Sequence, residues 1–584
     1  MPESPWSRLN GIRLLILFGT IGFLLSVASR GVDFSDESFF FASIAYPDRL
    51  GATIHPFGYL ISVLFSRVGN SFVALRIVGI LTLALSGAFL GWRLDVECRR
   101  SSSTNHSLWQ VGALTALSSY GLWTLTPTYN HLIVMAMCLI FGGVLWWRAN
   151  DHAHRHLLDK LASLCVGFGG FVACFAKPPV AVIAAVAVVV FLALTRNRQS
   201  AKRLLTRSVL TPMIAAVFSV LTLTATVGVW AFEQTIKNGL TYIRFGNSPL
   251  ALVGKTVSDF YYGSPVVWVT LTSALIFALT FNESNASPWR KVSAVLLAGC
   301  AIFFIFNIAN GIRVGEAPFA FIGVATFCLA VSALLFLFVR HPVKLTGAQV
   351  GIALVLLALP FVLSFGSAIS IFAQTGAYVS FTLLGAVYFA VSGLPVRSAR
   401  IVEAGTFALV PLLILWSATD PFGLPRSIFA QSTPITSPFS QDQFLVDPST
   451  ANYVANLRKI ARDNALNSAT PIIDFTGTGP GTGLFLGARL PYYPWLISFI
   501  GDPLPVANAQ WASLSESDRK RAWMIGPIPP ALVASMSARY FVAHHSDYRL
   551  AGCLIARTRL DRPHRLVFWA PGRLEGPPPF VDCA

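Results

Sequence analysis

Charged side chains are scarce in this sequence. Asp, Glu, Lys and Arg make up only 12% of the 584 residues, whereas 54% of the residues are hydrophobic. Soluble globular chains carry about 25% charged residues. The deficit excludes a soluble globular protein and predicts a polytopic α-helical membrane protein.

Acidic residues are even scarcer than basic ones. The chain has 26 Asp and Glu against 43 Lys and Arg, which gives a formal net charge of +17. A basic chain can bind nucleic acid, but no run of about five or more like charges forms a basic tail here. The Lys and Arg residues instead gather in alternate loops between apolar runs, as the positive-inside rule describes for the cytoplasmic side of a membrane. We therefore expect membrane lipids, and no nucleic acid, among the partners.

Apolar runs that could cross a membrane recur along the first 418 residues. A spanning helix needs about 20 mostly apolar residues, and we predict about thirteen such spans. They lie near residues 12–29, 72–92, 108–126, 131–147, 161–176, 179–195, 209–230, 263–281, 293–309, 318–339, 348–371, 377–394 and 402–418. No convincing small-residue cleavage site follows the first run, so we interpret it as a retained span and not a removed signal peptide.

The loops between the predicted spans indicate their orientation. One set is rich in Lys and Arg, whereas the opposite set has no charge where it is short, as in 128–130 and 372–376. The positive-inside rule then places the N-terminus in the cytoplasm. An odd number of spans places the C-terminus outside, so we expect a protein of the cytoplasmic (inner) membrane with an extracytoplasmic tail.

The composition changes after residue 418. A linker rich in Pro and Ser covers 419–448, and residues 449–584 contain a helix-like stretch at 449–464 followed by short strand-like runs. We predict a C-terminal extracytoplasmic domain of α/β or α+β type. Of the eight cysteines, Cys553 and Cys583 lie in this tail, where disulfides persist. A bridge between them is plausible, although sequence alone does not fix connectivity.

Carboxylates follow the first span at once, in the predicted extracytoplasmic loop 31–71. Asp33, Asp36 and Glu37 lie just past the edge of the bilayer, where acids are costly unless solvated, paired or used. The aromatic run after them suggests a short interfacial helix with Asp36 and Glu37 in its first turn. The two acids could also simply cap that helix, because anions are favoured at helix N-termini.

A second short helix is predicted in the same loop. His55-Pro56 begins the stretch PFGYLISVLFSRVG, and Pro is well placed at the start of a helix. The stretch is too short to cross a membrane. Two such helices between the first and second spans are an unusual arrangement, because ordinary outward loops of transporters are shorter and less aromatic.

These residues resemble the GT-C glycosyltransferases, in the branch that contains the protein O-mannosyltransferases and the lipid A aminoarabinose transferases. Asp36-Glu37 matches the DE pair of that family, and the stretch from His55 to Tyr59 resembles its K/H-P-P-L-x-Y segment. The stretch around Arg76 resembles the family's entry to its second span. The resemblance covers roughly residues 10–420 and is strongest over 30–90.

Farther along the chain the resemblance continues, with two departures. Lys177 stands at the turn between the two spans that resemble the family's fifth and sixth. Phe57 replaces the second Pro of the family's segment. Tyr129-Asn130-His131 occupies a turn where many members have an Asp, which puts an acidic role at that turn in doubt.

The resemblance implies a fold and a reaction. Residues 1–418 would form a GT-C transmembrane catalytic domain. It would transfer a sugar, with inversion, from a polyprenyl-phosphate donor to an extracytoplasmic glycan, lipid or protein, as in the synthesis of lipopolysaccharide and other cell-envelope glycans. The matched Asp36 would be the general base, and Glu37 would position the acceptor or a neighbouring cation.

The resemblance also implies cationic side chains near the departing lipid phosphate, since negative charge develops there. The candidate substrate-binding residues are His55, Tyr59, Lys177, Arg244 and Arg313.

Structural explanations of the same residues remain open. Asp33 could hold the catalytic position instead of Asp36, and His55 could simply begin its helix. Lys177 could snorkel to phosphate headgroups, and Arg76 could be a structural ion-pair partner. No motif requires a cofactor. Whether the protein needs a divalent metal ion stays open, because no dedicated ligand cluster is evident beyond Asp33, Asp36 and Glu37.

Other functions remain as alternatives. A polytopic transporter or lipid flippase would explain the spans, but not the paired short helices or the exported tail. A non-catalytic glycan-assembly protein could use the same scaffold. The Gly-rich stretch 477–483 does not fit the dinucleotide pattern G-x-G-x-x-G, because Thr482 stands where the third Gly belongs. We interpret it as a loop.

Overall fold

A computed structural model gives the fold. It describes residues 5–47, 56–99, 107–122, 124–153, 156–194, 201–226, 345–364, 371–394, 396–474, 480–490, 514–526, 548–557 and 563–572, together with residues 233 and 254.

The membrane part of the described chain consists of helices. They are α1 (Pro5–Ser26), α2 (Asp36–Ala45), α3 (Phe57–Arg67), α4 (Phe72–Arg99), α5 (Leu108–Leu117), α6 (Tyr129–Ala153), α7 (His156–Ala176), α8 (Pro178–Leu194), α9 (Ala201–Ala225), α10 (Gly347–Leu363), α11 (Ile371–Thr375), α12 (Val379–Gly393) and α13 (Val396–Thr419). Within the described residues, six helices are long and apolar enough to cross a membrane. They are Phe72–Arg99, Tyr129–Asn150, Leu157–Ala176, Thr206–Ala225, Gly376–Gly393 and Ala399–Thr419.

These helices agree with a polytopic membrane protein, whereas the predicted number of spans stays a prediction. The spans predicted near 263–281, 293–309 and 318–339 lie outside the described residues. The span predicted near 108–126 is an α-helix only to Leu117 and continues as the 3₁₀ turn Ser118–Leu122. Ser and Gly residues of this turn are weaker helix formers than the apolar residues before them.

Glycines set how closely the helices of the bundle approach each other. A Cβ atom at Gly112 would lie 2.2 Å from the Gly87 carbonyl oxygen, and one at Gly91 would lie 2.2 Å from that of Leu108. Small residues of this kind let membrane helices bring their backbones together. They hold α4 against α5.

The C-terminal part is built from short strands and helices. Strands β1 (Thr433–Thr436) and β2 (Gln443–Val446) form an antiparallel pair. A four-stranded sheet has the order β3 (Ile472–Asp474), β4 (Trp523–Gly526), β6 (Pro563–Pro571) and β5 (Tyr548–Arg557). Its β3–β4 pair is parallel and its other pairs are antiparallel. The helices are α14 (Pro448–Asp463), α15 (Gly481–Phe485) and α16 (Glu516–Arg521).

Helix α14 agrees with the helix predicted at 449–464, and its start follows from the sequence. Asp447 accepts hydrogen bonds from the amides of Ser449 (3.0 Å) and Thr450 (3.2 Å), and Pro448 occupies the first turn. Cys553, in β5, is disulfide-bonded. Cys583 lies outside the described residues, so the predicted pairing of these two cysteines stays a prediction.

The C-terminal part is attached directly to the loop after α1. The Gly31 amide donates to the Leu445 carbonyl at 2.8 Å, and the Leu445 amide donates to the Ser29 carbonyl at 2.9 Å. The Gly481 amide donates to the Phe34 carbonyl at 2.9 Å. Strand β2 and helix α15 therefore fix the backbone on which Asp33, Asp36 and Glu37 stand.

Asp442 connects the C-terminal part to a membrane helix. Its carboxylate accepts from the Phe72 amide at 2.6 Å and from the Ser71 hydroxyl at 2.5 Å, at the N-terminus of α4. A helix N-terminus leaves unpaired amides that a side-chain oxygen can satisfy. A residue of the C-terminal part thus caps a helix that begins 370 residues earlier.

Candidate functional site

Helices α2 and α3 occupy the two stretches where short helices were predicted. Asp36 and Glu37 lie in the first turn of α2, as expected. From Glu37 to Ile44 every residue of α2 is buried. We call the side of the bundle that carries α2 and the C-terminal part the domain end, and the opposite side the far end.

Glu37 belongs to a buried ion pair with Arg76. Its Oε1 accepts from the Arg76 guanidinium at 2.8 Å and from the Thr126 hydroxyl at 2.6 Å. The same guanidinium donates to the carbonyls of Ala28 (2.7 Å) and Gly31 (3.0 Å). Arg76 is 1% exposed. The geometry gives Glu37 and Arg76 the task of joining α2, α4 and the end of α1.

Asp33 is buried, and its carboxylate accepts local hydrogen bonds. Its carboxylate accepts from the Ser35 amide (2.8 Å), the Ser35 hydroxyl (2.6 Å) and the Glu37 amide (3.2 Å). Burial raises the pKa of Asp33 to about 6, although these hydrogen bonds oppose the rise. Gly423 packs on it closely, because a Cβ atom there would lie 2.2 Å from the carboxylate. Asp33 therefore stabilises the first turn of α2.

Asp36 differs from both neighbours. Among the residues that the structure describes, no donor or cation contacts its carboxylate, and the residue is partly exposed. Protein surrounds the carboxyl group enough that burial raises its pKa to about 8, and the negative charge of Asp33 adds to the effect. A carboxylate with a pKa near the working pH has the protonation behaviour that a general base needs.

A polar network adjoins Asp36 across the start of α6. The Asp36 carboxylate lies close enough to Tyr129 to interact with it electrostatically, and Tyr129 hydrogen-bonds Asn130. The Asn130 side-chain oxygen accepts from the Gln374 amide at 2.9 Å and from the Tyr378 hydroxyl at 2.8 Å. Amide and hydroxyl groups thus occupy the turn where many members of the resembled family have an Asp, and such groups can bind sugar hydroxyls.

The position of Lys177 follows from the packing of α6 against α7. A Cβ at Gly169 would lie 2.8 Å from the Ala136 carbonyl oxygen, and one at Gly143 would lie 2.9 Å from that of Ala162. Continued along two antiparallel helices, this register brings Lys177 level with Asn130 at the domain end.

Lys177 is itself enclosed by protein. It is 2% exposed, and it follows the last residue of α7 and precedes α8. Burial lowers the pKa of its ammonium group to about 8. A lysine that only snorkels to the surface would keep its ammonium group in water, so this burial weakens that explanation.

The remaining candidate residues are placed only in part. Tyr59 is 3% exposed in the first turn of α3, where its amide donates to the Pro56 carbonyl at 3.1 Å. His55, Arg244 and Arg313 lie outside the described residues. The structure therefore brings together Asp33, Asp36 and Glu37 and leaves the predicted contacts of the other three residues as predictions.

Two of the three carboxylates that could bind a divalent metal ion at this site already accept hydrogen bonds. Within the described ranges, no group of three or more His, Cys, Asp and Glu side chains is arranged to hold a metal. A metal bound by Asp33 and Glu37 would have to displace the donors from Ser35 and Arg76. Asp36 is the acid of this stretch that has a carboxylate available.

Sequence reasoning did not identify several residues that build the site. Thr126, Gln374, Tyr378 and Asp442 are far from α2 in the chain, and each is a common residue type without a motif. Asn130 lies in the turn that the sequence marks only by the absence of the family's Asp. Packing and long-range hydrogen bonds, which one sequence does not show, bring these residues to the domain end.

Comparisons with known proteins give little further information. No protein-family model matches the chain, and no curated protein matches it. Among solved structures, the crystal structure of ArnT from Cupriavidus metallidurans in the apo state is similar at 12% sequence identity, with a TM-score of 0.38. The match covers 97% of this chain and 98% of that one. At this identity and TM-score, the similarity assigns neither a fold nor an activity to the present protein.

Proposed function

We propose that this protein is an integral membrane glycosyltransferase of GT-C type. It transfers a sugar from a polyprenyl-phosphate donor to an extracytoplasmic glycan, lipid or protein, with inversion at the anomeric carbon. The resemblance of the stretch from Asp36 to Arg76 to that family supports the proposal. The observation that carries it is the Asp36 carboxylate, which no described donor or cation engages at a site where both neighbouring acids are occupied.

The reaction assigns Asp36 the role of base. The acceptor hydroxyl oxygen attacks the anomeric carbon, and the bond from that carbon to the phosphate oxygen breaks. The hydroxyl proton passes to Asp36, and the lipid phosphate leaves with the bonding electron pair. A positioned general base contributes about 100- to 10,000-fold to a rate.

Asp33 and Glu37 act on Asp36 without taking part in the proton transfer. Asp33 fixes the first turn of α2 and, through its negative charge, raises the pKa of Asp36. Glu37 anchors the same turn to Arg76. This division of tasks favours Asp36 over Asp33 as the catalytic carboxylate.

Lys177 is the described cation that we assign to the lipid phosphate. It lies level with the Tyr129–Asn130 turn, and an ammonium group near a departing phosphate stabilises the charge that develops there. The Tyr129–Asn130–Tyr378–Gln374 network supplies hydroxyl and amide groups for the sugar or the acceptor.

The test begins with the product. Mass analysis of surface glycans and lipids in a strain that lacks this protein should show the loss of a sugar of defined mass. The missing mass names the donor sugar and the acceptor class, and complementation with wild-type protein restores it.

The substitution Asp36→Asn then tests the base. We expect transfer to fall by about 100-fold or more, with normal folding and membrane insertion. Asp420→Asn is the matched control, because Asp420 is an exposed acid that directly follows α13 and should leave transfer unchanged. Transfer by a folded Asp36→Asn protein at close to the wild-type rate would remove Asp36 as the base. Accumulation of a substrate across the membrane without a new glycosidic bond would establish a transporter instead.

A further inference from the structure

A groove separates the first and the last helix of the membrane part. It lies between α1 and α13, has a volume of about 480 Å³, and is lined by Ile16, Gly19, Thr20, Phe23, Phe407, Ala408, Pro411, Leu412, Ile414 and Leu415. The volume is within the range of small-molecule pockets, about 300–1,000 Å³. Pro411 stands inside α13, where a proline removes a backbone hydrogen bond and bends the helix.

The groove offers only apolar surface to an occupant. The one hydroxyl in its lining belongs to Thr20, and that hydroxyl donates to the Ile16 carbonyl of its own helix at 2.8 Å. Gly19 opens directly onto the groove, since a Cβ atom there would meet nothing within 4 Å. Both helices are apolar along this length, so the groove faces the hydrocarbon phase of the bilayer.

Contacts at both ends define the length of the groove. At the far end, the Arg13 guanidinium pairs with Glu403 at 2.5 Å and lies 5.8 Å from the centre of the Phe407 ring. At the domain end, the rings of Phe23 and Phe429 are 6.1 Å apart. The ion pair joins α1 to α13, the ring contact joins α1 to the segment after α13, and the groove is the space between these two contacts.

A cation stands beyond the domain end of the groove. Arg30 follows the end of α1 and lines a small polar cavity together with Asp33, Glu37, Arg76, Phe422 and Leu424. Its side chain is partly exposed, and none of the described residues pairs with its guanidinium. An apolar groove that leads to an available guanidinium matches an amphipathic molecule with an anionic head.

We propose that this groove binds one anionic phospholipid of the surrounding bilayer. One acyl chain lies between α1 and α13, and the phosphate is held by Arg30. The small cavity next to Arg30 has a volume of about 10 Å³, which is no more than one water molecule needs. No headgroup fits into that cavity, so the head of the phospholipid stays at the surface beside Arg30. The lining of the groove contains none of Asp33, Asp36 and Glu37, so binding of the acyl chain does not depend on the proposed transferase activity.

Two glycines of α1 provide a matched pair of variants. Gly19→Leu places a side chain in the groove. Gly22→Leu adds the same side chain one turn away, also in open space, but Gly22 is not part of the lining. A Cβ atom at either position meets no protein atom within 4 Å, so both variants should fold.

The experiment titrates full-length protein in detergent with phosphatidylglycerol or with phosphatidylcholine of the same chains, and native mass spectrometry counts the bound lipid. We expect wild-type protein to bind one phosphatidylglycerol about fivefold more tightly than phosphatidylcholine, as one arginine near a lipid phosphate provides. Gly19→Leu should weaken binding of both lipids by about tenfold, since displacing two methylene groups has that effect. Gly22→Leu should bind as wild type does. Arg30→Gln should bind the two lipids equally.

Three results would overturn the proposal. Equal binding by Gly19→Leu and Gly22→Leu would show that the groove holds no chain. An absence of preference for phosphatidylglycerol in the wild type would remove Arg30 as the phosphate ligand. Displacement of phosphatidylglycerol by an equimolar polyprenyl phosphate, in the wild type but not in Gly19→Leu, would assign the groove to a different lipid.

Discussion

The acids at the two ends of the helical bundle differ in whether they are paired. At the far end, four acids that stand near helix termini each pair with an arginine. The pairs are Asp95–Arg99, Glu97–Arg148, Asp159–Arg207 and Glu403–Arg13. At the domain end, Glu37 pairs with Arg76 in the same way, but Asp36, one residue earlier, has no partner among the described residues.

The difference separates structural charges from a chemically available one. A buried charge is tolerated when a counter-charge and hydrogen bonds satisfy it, and removing one partner is strongly destabilising. An ionisable side chain that stays unpaired at a membrane surface is costly, and this cost is a reason to look for a function. The four pairs at the far end therefore show how acids with a structural role are paired in this protein. Asp36 departs from that pattern.

The largest effect should come from breaking a buried pair at either end. Arg76→Met leaves Glu37 buried without its cation, and Arg13→Met does the same to Glu403. We expect each substitution to lower the free energy of unfolding by about 3–5 kcal/mol. Chemical denaturation of the purified protein in detergent measures both. If Arg76→Met cost nothing, the pair at the domain end would not be structural, and the comparison would fail.

The pH dependence of transfer should reveal the two titrating groups of the domain end. Asp36 must be ionised to accept a proton, so activity should rise by about tenfold per pH unit up to its pKa of about 8. Lys177 must be charged to stabilise phosphate, so activity should fall as pH rises above about 8. The profile of kcat/KM against pH should be bell-shaped.

One conservative variant separates the two limbs of that bell. Arginine stays charged throughout the measured range, so Lys177→Arg should keep the rising limb and lose the falling one. A falling limb that persists in Lys177→Arg would assign that limb to another group.

A moderate effect should come from the cap that joins the two parts of the chain. Asp442→Ala leaves the first amides of α4 without their acceptor, and loss of such a cap costs about 0.5–2 kcal/mol. Hydrogen exchange should accelerate at the Phe72 and Val73 amides. Asp447→Ala is the control, because it removes a cap of the same chemistry from α14 and should leave exchange in α4 unchanged.

Replacing Asp36 should have an effect of the opposite sign, a gain in stability at alkaline pH. Its pKa is raised on folding, so ionisation destabilises the folded state increasingly as pH rises from about 4 towards 8. Asp36→Asn should therefore match wild type near pH 4 and melt at a higher temperature at pH 9. Glu37→Gln should show the opposite sign at pH 9, because it removes a paired charge. A lower melting temperature for Asp36→Asn at pH 9 would mean that Asp36 has a structural partner.

Local chemistry made part of this arrangement predictable from sequence. The acids before an aromatic run predicted the start of α2, and His55-Pro56 predicted that of α3. Asp447-Pro448 marks the start of α14 in the same way. These features depend on neighbours within a few residues.

The tasks of the individual acids were not predictable, because they depend on distant partners. Asp33, Asp36 and Glu37 are similar in sequence, and only the fold shows that Thr126 and Arg76 engage the third and Ser35 the first. The expectation of a helix lying in the membrane interface also missed the burial of α2, which results from packing of the C-terminal part over it.

The contact between Asp442 and α4 has a consequence for how the protein is made. A ribosome delivers the second long helix more than 300 residues before it delivers the side chain that completes the start of that helix. The loop that carries Asp36 likewise waits for Leu445 and Gly481 to emerge. Until translation is nearly finished, the first third of the chain lacks its final contacts, and the nascent protein has no assembled domain end.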